Sequence, residues 1–98
     1  MKVKLIELDR FRSTGAINRH SVRAYTITVD GVANKKHARI DRSTDIEDKP
    51  FALGLVWFDS LINLPRQHTI SNDLNVNSWA EAVAKSEGLM EYYTDLEE

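Results

Sequence analysis

The clearest alternation of side chains along the chain runs from residue 22 to residue 29. One set of alternate positions is Arg23, Tyr25, Ile27 and Val29, and the other is Val22, Ala24, Thr26 and Thr28. A period of two residues predicts a strand. The strand leads into Asp30-Gly31, a pair that tolerates the positive φ angles of a two-residue hairpin turn. We therefore predict a hairpin here, with Tyr25, Ile27 and Val29 facing the final helix.

Two further segments have the character of strands. Residues 2–8 form a short, partly β-branched run that ends at Asp9, and residues 9–21 have the composition of a loop. The returning strand of the hairpin, 32–40, alternates poorly, because a two-residue turn places Asn34 and Lys36 on the face of Ile27. Either that face is partly wet at this end, or the loop extends to about Lys36 and only residues 37–40 pair. We expect the second arrangement.

Residues 50–64 are predicted to form the first of two helices. The residues of its apolar stripe are Phe51, Leu55, Phe58 and Ile62. Pro50 suits a first helical turn, and the acids of residues 45–48 suit the positive end of a helix. A buried strand would also explain residues 51–58, and Gly54 costs a helix about 1 kcal/mol relative to Ala. The length of the segment favours the helix.

The last element has a clearer start signal. Ser78 and Glu81 fit a capping box, in which the serine oxygen accepts from a first-turn amide and the glutamate reaches back. The apolar stripe that follows is Trp79, Ala82, Val83, Leu89, Met90, Tyr93 and Leu96. These patterns predict one α+β domain over residues 1–98: a small antiparallel sheet of about three strands, packed against two helices on one face.

Opposite charge in the two halves is the main feature that composition adds. Residues 1–43 carry ten Lys or Arg and four Asp or Glu, a balance of +6, whereas residues 44–98 carry three and eleven, a balance of −8. The net charge of −2 conceals this division into a basic β-rich half and an acidic helical half. No stretch is long and apolar enough for a membrane span and no signal peptide is visible, so we expect a soluble, cytoplasmic protein.

Residues that could support catalysis or metal binding form no recognisable motif. The chain has no cysteine, and His20, His37 and His68 are 17 and 31 residues apart, far from the spacing that puts two imidazoles on one metal. A Ser21–His20–acid set has no motif behind it, and four isolated glycines do not make a phosphate loop. We therefore expect no enzyme, no cofactor and no metal site.

Basic residues around two predicted loops form a candidate nucleic-acid interface. The residues are Arg10, Arg12, Arg19 and Arg23 in the segment 10–23, and Lys35, Lys36, Arg39 and Arg42 in the segment 35–42. Phe11 and Tyr25 lie among them and could stack on bases. A pI of about 5.9 is unlike that of a dedicated nucleic-acid binder. A solvated basic face, with salt bridges to the acidic half, explains the same residues.

Acidic residues at the end of the last helix form a candidate partner-binding surface. The acids are Glu87, Glu91, Asp95, Glu97 and Glu98, and Tyr92 lies among them as a possible contact anchor. Acids at the negative end of a helix oppose its dipole and favour fraying, which indicates a mobile segment that meets a basic partner. A disordered tail without a function is the simpler interpretation.

The hypothesis that follows is a small non-enzymatic protein that binds another protein, as an inhibitor or adaptor. Small inhibitors encoded by phages or mobile elements share this profile, which is an analogy of class alone. The alternatives are a nucleic-acid-binding module that uses the basic loops, and a self-associating structural subunit such as a homodimer, in which opposite charges pair head to tail.

Overall fold

A computed structural model describes residues 1–8, 13–14, 20–43, 50–59 and 64–96. These residues form a five-stranded antiparallel sheet with one C-terminal helix packed against it. The strands are β1 (Val3–Glu7), β2 (Ser13–Thr14), β3 (His20–Val29), β4 (Val32–Ser43), β5 (Ala52–Asp59) and β6 (Leu64–Ser71), followed by helix α1 (Trp79–Met90) and a 3-10 turn (Thr94–Leu96). The order across the sheet is β1-β3-β4-β5-β6, and the two-residue β2 pairs with β3. No helix within these ranges is long and apolar enough to cross a membrane.

The hairpin predicted at Asp30-Gly31 is confirmed. Val29 pairs directly with Val32, and the two turn residues have φ angles of 51° and 84°. The turn is also joined to the first strand, because the Lys2 amide donates to Asp30 Oδ1 at 2.8 Å and the Asp30 amide donates to the Lys2 carbonyl at 2.8 Å. The hairpin and β1 therefore hold each other in register.

The core lies between one face of the sheet and α1. Tyr25 and Ile27 are buried and Val29 packs against them, so the predicted inward face of β3 is confirmed. The other strands contribute Val3, Leu5, Ala38, Ile40, Leu53 and Leu55, and the helical layer contributes Ala82, Met90 and Leu96. Burial of these apolar side chains is the main favourable term in folding.

The expectation that the hairpin loop extends to about Lys36 is wrong, because β4 begins at Val32. An irregularity in the pairing explains why the side chains of β4 alternate poorly. Thr26 pairs with His37 and Thr28 pairs with Ala33, so three residues of β4 lie opposite Ile27, two more than in a regular ladder. Asn34 and Lys36 do face the helical side, where Asn34 Nδ2 donates to the Leu96 carbonyl at 3.0 Å and Lys36 Nζ donates to the Asp95 carbonyl. The C-terminal segment thus supplies polar partners for this bulge.

The helix predicted over residues 50–64 is also wrong. This segment contains the central strand β5 and the start of β6, so the described residues form five strands along the main sheet and one α-helix, not about three strands and two helices. Phe51, Leu53 and Leu55 are fully buried at alternate positions, whereas Phe58 is exposed. Both faces of this strand carry apolar residues, so its sequence does not show the alternation of apolar and polar residues that is typical of a strand. Some of the apolar residues therefore also fit the spacing of a helix. Ile62 lies outside the described residues.

The capping signal at the last helix is confirmed. The Glu81 amide donates to Ser78 Oγ at 3.2 Å, and Glu81 Oε2 in turn accepts from the Asn77 amide at 3.2 Å. The cap fixes where α1 begins. As a result, Trp79 in the first turn reaches Phe51, and the two rings meet edge to face with centroids 4.9 Å apart.

Two glycine substitutions are expected to change stability in opposite directions. Gly31→Ala should lower the free energy of unfolding by about 1–2 kcal/mol, because a Cβ is strained at positive φ. Gly88→Ala, in an exposed helical position with free space around the new methyl group, should raise it by about 0.5–1 kcal/mol. Urea denaturation of both variants beside the parent chain measures the two changes. Equal effects of the same sign would contradict the turn geometry.

Candidate protein-binding surface

The second face of the sheet is covered by no described helix or strand. We call it the open face and define it by the outward side chains of four strands. They are Ile6 and Leu8 on or beside β1, Val22, Ala24 and Thr26 on β3, His37 and Arg39 on β4, and Val56 and Phe58 on β5. Side chains alternate along a strand, and the neighbours of these residues are buried on the helix side. These residues therefore project from the opposite face of the sheet.

The strand register arranges the open face in rows that cross the sheet. One row runs Ile6, Thr26, His37, Val56 and Gln67, and the next runs Leu8, Ala24, Arg39, Gly54 and Thr69. The small residues Ala24 and Gly54 lie between larger side chains. The result is a mainly apolar hollow of about 490 Å³, with Phe58 at its rim and 68% of that residue's surface exposed. Hollows of this size fall in the range of ligand and anchor pockets.

The charges on the open face are predominantly positive. Arg39 is paired, since its Nε donates to Asp41 Oδ1 at 2.8 Å and its Nη1 donates to Gln67 Oε1 at 3.3 Å. Lys4 projects from the same face, two residues, or about 7 Å, along β1 from Ile6. Lys35 is exposed and lies between Asn34 and Lys36, which both face the helical side, so alternation places it on the open face. The hollow is therefore an apolar depression with two lysines on one side.

The predicted nucleic-acid residues do not all lie on one face. Arg23 and Arg42 lie on the helix side, with their guanidinium carbons 4.2 Å from the Trp79 ring centre and 4.7 Å from that of Phe51. Lys36 is on that side too, whereas Lys35 and Arg39 are on the open face. Tyr25 is buried, so its ring cannot stack on a base. Arg10, Phe11, Arg12 and Arg19 lie outside the described residues. Nucleic-acid binding stays a prediction.

Two of the acids assigned to a partner surface bind the edge of the chain's own sheet. Glu87 Oε2 accepts from the Leu5 amide at 2.9 Å, and Glu91 Oε1 accepts from the Val3 amide at 3.4 Å. These amides are on the outer side of β1, where none of the described strands pairs. Unpaired edge amides invite pairing with other chains, and carboxylates that occupy them reduce this risk. The contacts also offset the unfavourable charge at the helix end.

The end of α1 carries the most exposed large aromatic residue among those described. Tyr92 has 88% of its surface exposed, and Leu89, one helical turn earlier, has 38% exposed. Asp95, three residues after Tyr92, accepts a hydrogen bond from the Tyr93 hydroxyl at 3.3 Å. We call Leu89 and Tyr92 the apolar knob. Glu97 and Glu98 lie outside the described residues.

Sequence reasoning missed the open face. The helical pattern places Phe58 on an apolar stripe, and it gives no reason to expect Val56 or Ile6 on a common surface. One sequence feature could have indicated this face. Every second residue from 52 to 58 is apolar or glycine, and two small residues are followed by two larger ones: Ala52, Gly54, Val56 and Phe58. As for metals, no three His, Cys, Asp or Glu side chains within the described ranges lie close enough together to bind one ion.

Removal of the Glu87 carboxylate should destabilise the fold. Glu87→Ala is expected to lower the free energy of unfolding by about 1–2 kcal/mol, because the buried Leu5 residue loses a charge-assisted partner for its amide. Lys85→Ala, on the exposed side of the same helix, is the control and should change it by less than about 0.5 kcal/mol. Thermal and urea denaturation measure both, and equal effects would contradict a role for Glu87 at the edge of β1.

The Tyr93 hydroxyl should ionise at a higher pH than an ordinary tyrosine. Partial burial raises its pKa, and the Asp95 carboxylate raises it further by charge repulsion and by accepting the hydroxyl hydrogen bond. Folding therefore favours the neutral phenol, and this stability is present below pH of about 10 and lost as the pH rises through the folded pKa. Asp95→Asn should lower the pKa only part of the way, because burial remains.

The difference in tyrosinate absorbance between the parent chain and Tyr93→Phe isolates this titration. An unchanged Tyr93 titration in Asp95→Asn would contradict the contact between the two side chains.

No protein-family model matches this sequence, and neither a curated protein nor a solved structure matches it. A function for the chain therefore has to be inferred from its own surfaces.

Proposed function

We propose that this chain is a non-catalytic protein-binding module of the inhibitor or adaptor type, and that its open face binds the partner. The observation that carries the proposal is Phe58, a large aromatic side chain exposed at the rim of an apolar hollow. Single exposed apolar residues are ordinary on protein surfaces, whereas a contiguous apolar face bordered by polar residues marks an interaction site.

The chemistry of the open face indicates which kind of partner would fit. An apolar hollow with a projecting aromatic ring favours a bulky apolar or aromatic anchor, since such side chains dominate binding energy when they fill a pocket. Lys4 and Lys35, which lie on one side of the hollow, favour carboxylates on the same side of that anchor. The proposed partner segment therefore has an apolar anchor with acidic residues on one side of it.

The two faces of the sheet differ in their contribution to stability, and this difference also supports a binding role. The helix side contains the buried core and its cation–π contacts, so substitutions of those core residues would disturb folding. The open face contributes little to that core, and its side chains can be specialised for a partner at small cost in stability. A small domain with one stabilising face and one exposed apolar face is well suited to masking or bridging other proteins.

A matched pair of threonine variants tests the proposal. Phe58→Thr removes the exposed ring but keeps good β-propensity, and Val32→Thr does the same for a residue that is 70% exposed on the helix side. Proteins of the source cells captured by the tagged full chain should be lost with Phe58→Thr and kept with Val32→Thr. Melting temperatures of the two variants should match that of the parent chain within a few degrees.

Capture that survives Phe58→Thr, or that both substitutions weaken equally, would overturn the assignment of the binding surface to the open face. Failure to capture any protein, with the chain folded, would overturn the proposed function itself.

A further inference from the structure

We infer that the outer edge of β6, the side that faces away from β5, binds an extended acidic segment of another protein, which joins the sheet as a further strand. The proposed function does not require this contact, because it assigns binding to the open face and not to an edge. The inference goes beyond that function, since it names a second surface and the form of its occupant.

The two edges of the sheet differ in how their backbone groups are used. At β1, Glu87 and Glu91 occupy outward amides. At the other end of the strand order lies β6, whose residues 64–69 are all exposed, and no described strand pairs with its outer side. No side chain within the described ranges bonds to the backbone of residues 64–70. An edge with unpaired amides and carbonyls is a template for an added strand.

The hydrogen-bond pattern shows which backbone groups of β6 point outward. Successive residues of an antiparallel strand direct their amides and carbonyls to opposite sides. The Leu8 amide donates to the Ala24 carbonyl, so Ala24 faces β1 and the residue after it faces β4. The same alternation passes across the sheet through three pairs: Tyr25 with Ala38, Arg39 with Gly54, and Leu55 with His68. His68 therefore faces β5, and the backbone groups of Gln67 and Thr69 face outward.

Pro65 has the same phase as Gln67 and Thr69 and supports this assignment independently. Proline has no amide hydrogen, so at an outward position it removes no bond from the ladder with β5. It limits the usable edge on one side, and the irregular pairing next to Gly54 limits it on the other. An added strand therefore binds at the amides of Gln67 and Thr69, which restricts its register.

Arg66 indicates the chemistry of the added strand. Its guanidinium carbon lies 5.3 Å from the ring centre of Trp57 on the helix side, and no described carboxylate pairs with it. Residues 64–71 contain no Asp or Glu. A second copy of β6 laid along this edge therefore gives Arg66 no carboxylate in any register within the strand, whereas a segment with a glutamate opposite Arg66 does. These observations favour an acidic segment of another protein over self-association.

The test is amide hydrogen exchange of the full chain, measured by NMR with a synthetic probe peptide. The peptide has about eight residues and alternates threonine with glutamate, so that its carboxylates share one face. In the chain alone, the amides of Gln67 and Thr69 should exchange fast, and the His68 amide, which faces β5, should exchange slowly. Peptide at about 1 mM should slow exchange at Gln67 and Thr69 by about tenfold. A peptide with glutamine in place of each glutamate should bind about tenfold more weakly.

Three variants separate the backbone contact from the charge contact. Arg66→Gln should abolish the preference for the glutamate peptide, and Lys85→Gln, which removes a positive charge from the exposed side of α1, should keep it. Thr69→Pro removes one outward donor without a bond to β5, so it should weaken binding of both peptides.

Unchanged exchange at Gln67 and Thr69 with the glutamate peptide, or equal slowing by both peptides in the parent chain, would overturn the inference. Slowing that develops in the chain alone as its concentration rises would identify a second copy as the occupant and would overturn it as well. Each of these results leaves the proposed function standing if Phe58→Thr still abolishes capture of other proteins.

Discussion

One helix covers one face of a five-stranded sheet, and most properties of this molecule depend on that arrangement. The helical layer covers one apolar cluster to which β3, β4 and β5 all contribute, so a single core stabilises the fold. The opposite face is left with apolar residues that no described element covers. A sheet with one face in the core usually alternates between apolar and polar residues. Here β5 departs from that rule, and the departure is what indicates a binding surface.

Attachment of the helical layer depends on polar contacts at its end as much as on apolar packing within it. Glu87 and Glu91 bind the amides of β1, while the carbonyls of Asp95 and Leu96 accept hydrogen bonds from the bulge of β4. The acids that looked unfavourable for an isolated helix are thus used by the tertiary structure. Their placement also leaves Tyr92 outside these contacts, on the surface.

Local signals in the sequence were sufficient for some elements and insufficient for others. Asp30-Gly31 and Ser78 act through the backbone of their own segment, so the hairpin and the start of α1 could be predicted. The segment around Gly54 could not, because an apolar strand with two apolar faces has the same composition as a buried helix. The roles of Glu87 and Glu91 depend on a strand more than eighty residues away, which no local pattern encodes. The open face could be recognised only once the strands were in register.

The bond between Glu87 and the Leu5 amide joins residues 82 positions apart in the chain. The outer edge of β1 is therefore completed by a residue that is synthesised 82 positions after Leu5. Until that point the outer amides of β1 are exposed in a chain whose other strands are already available for pairing. Long-range closure of this kind slows folding and prolongs the period in which an edge can pair wrongly. A truncated chain that ends before α1 would keep that edge permanently, so premature termination should yield an aggregation-prone product and not merely a less stable one.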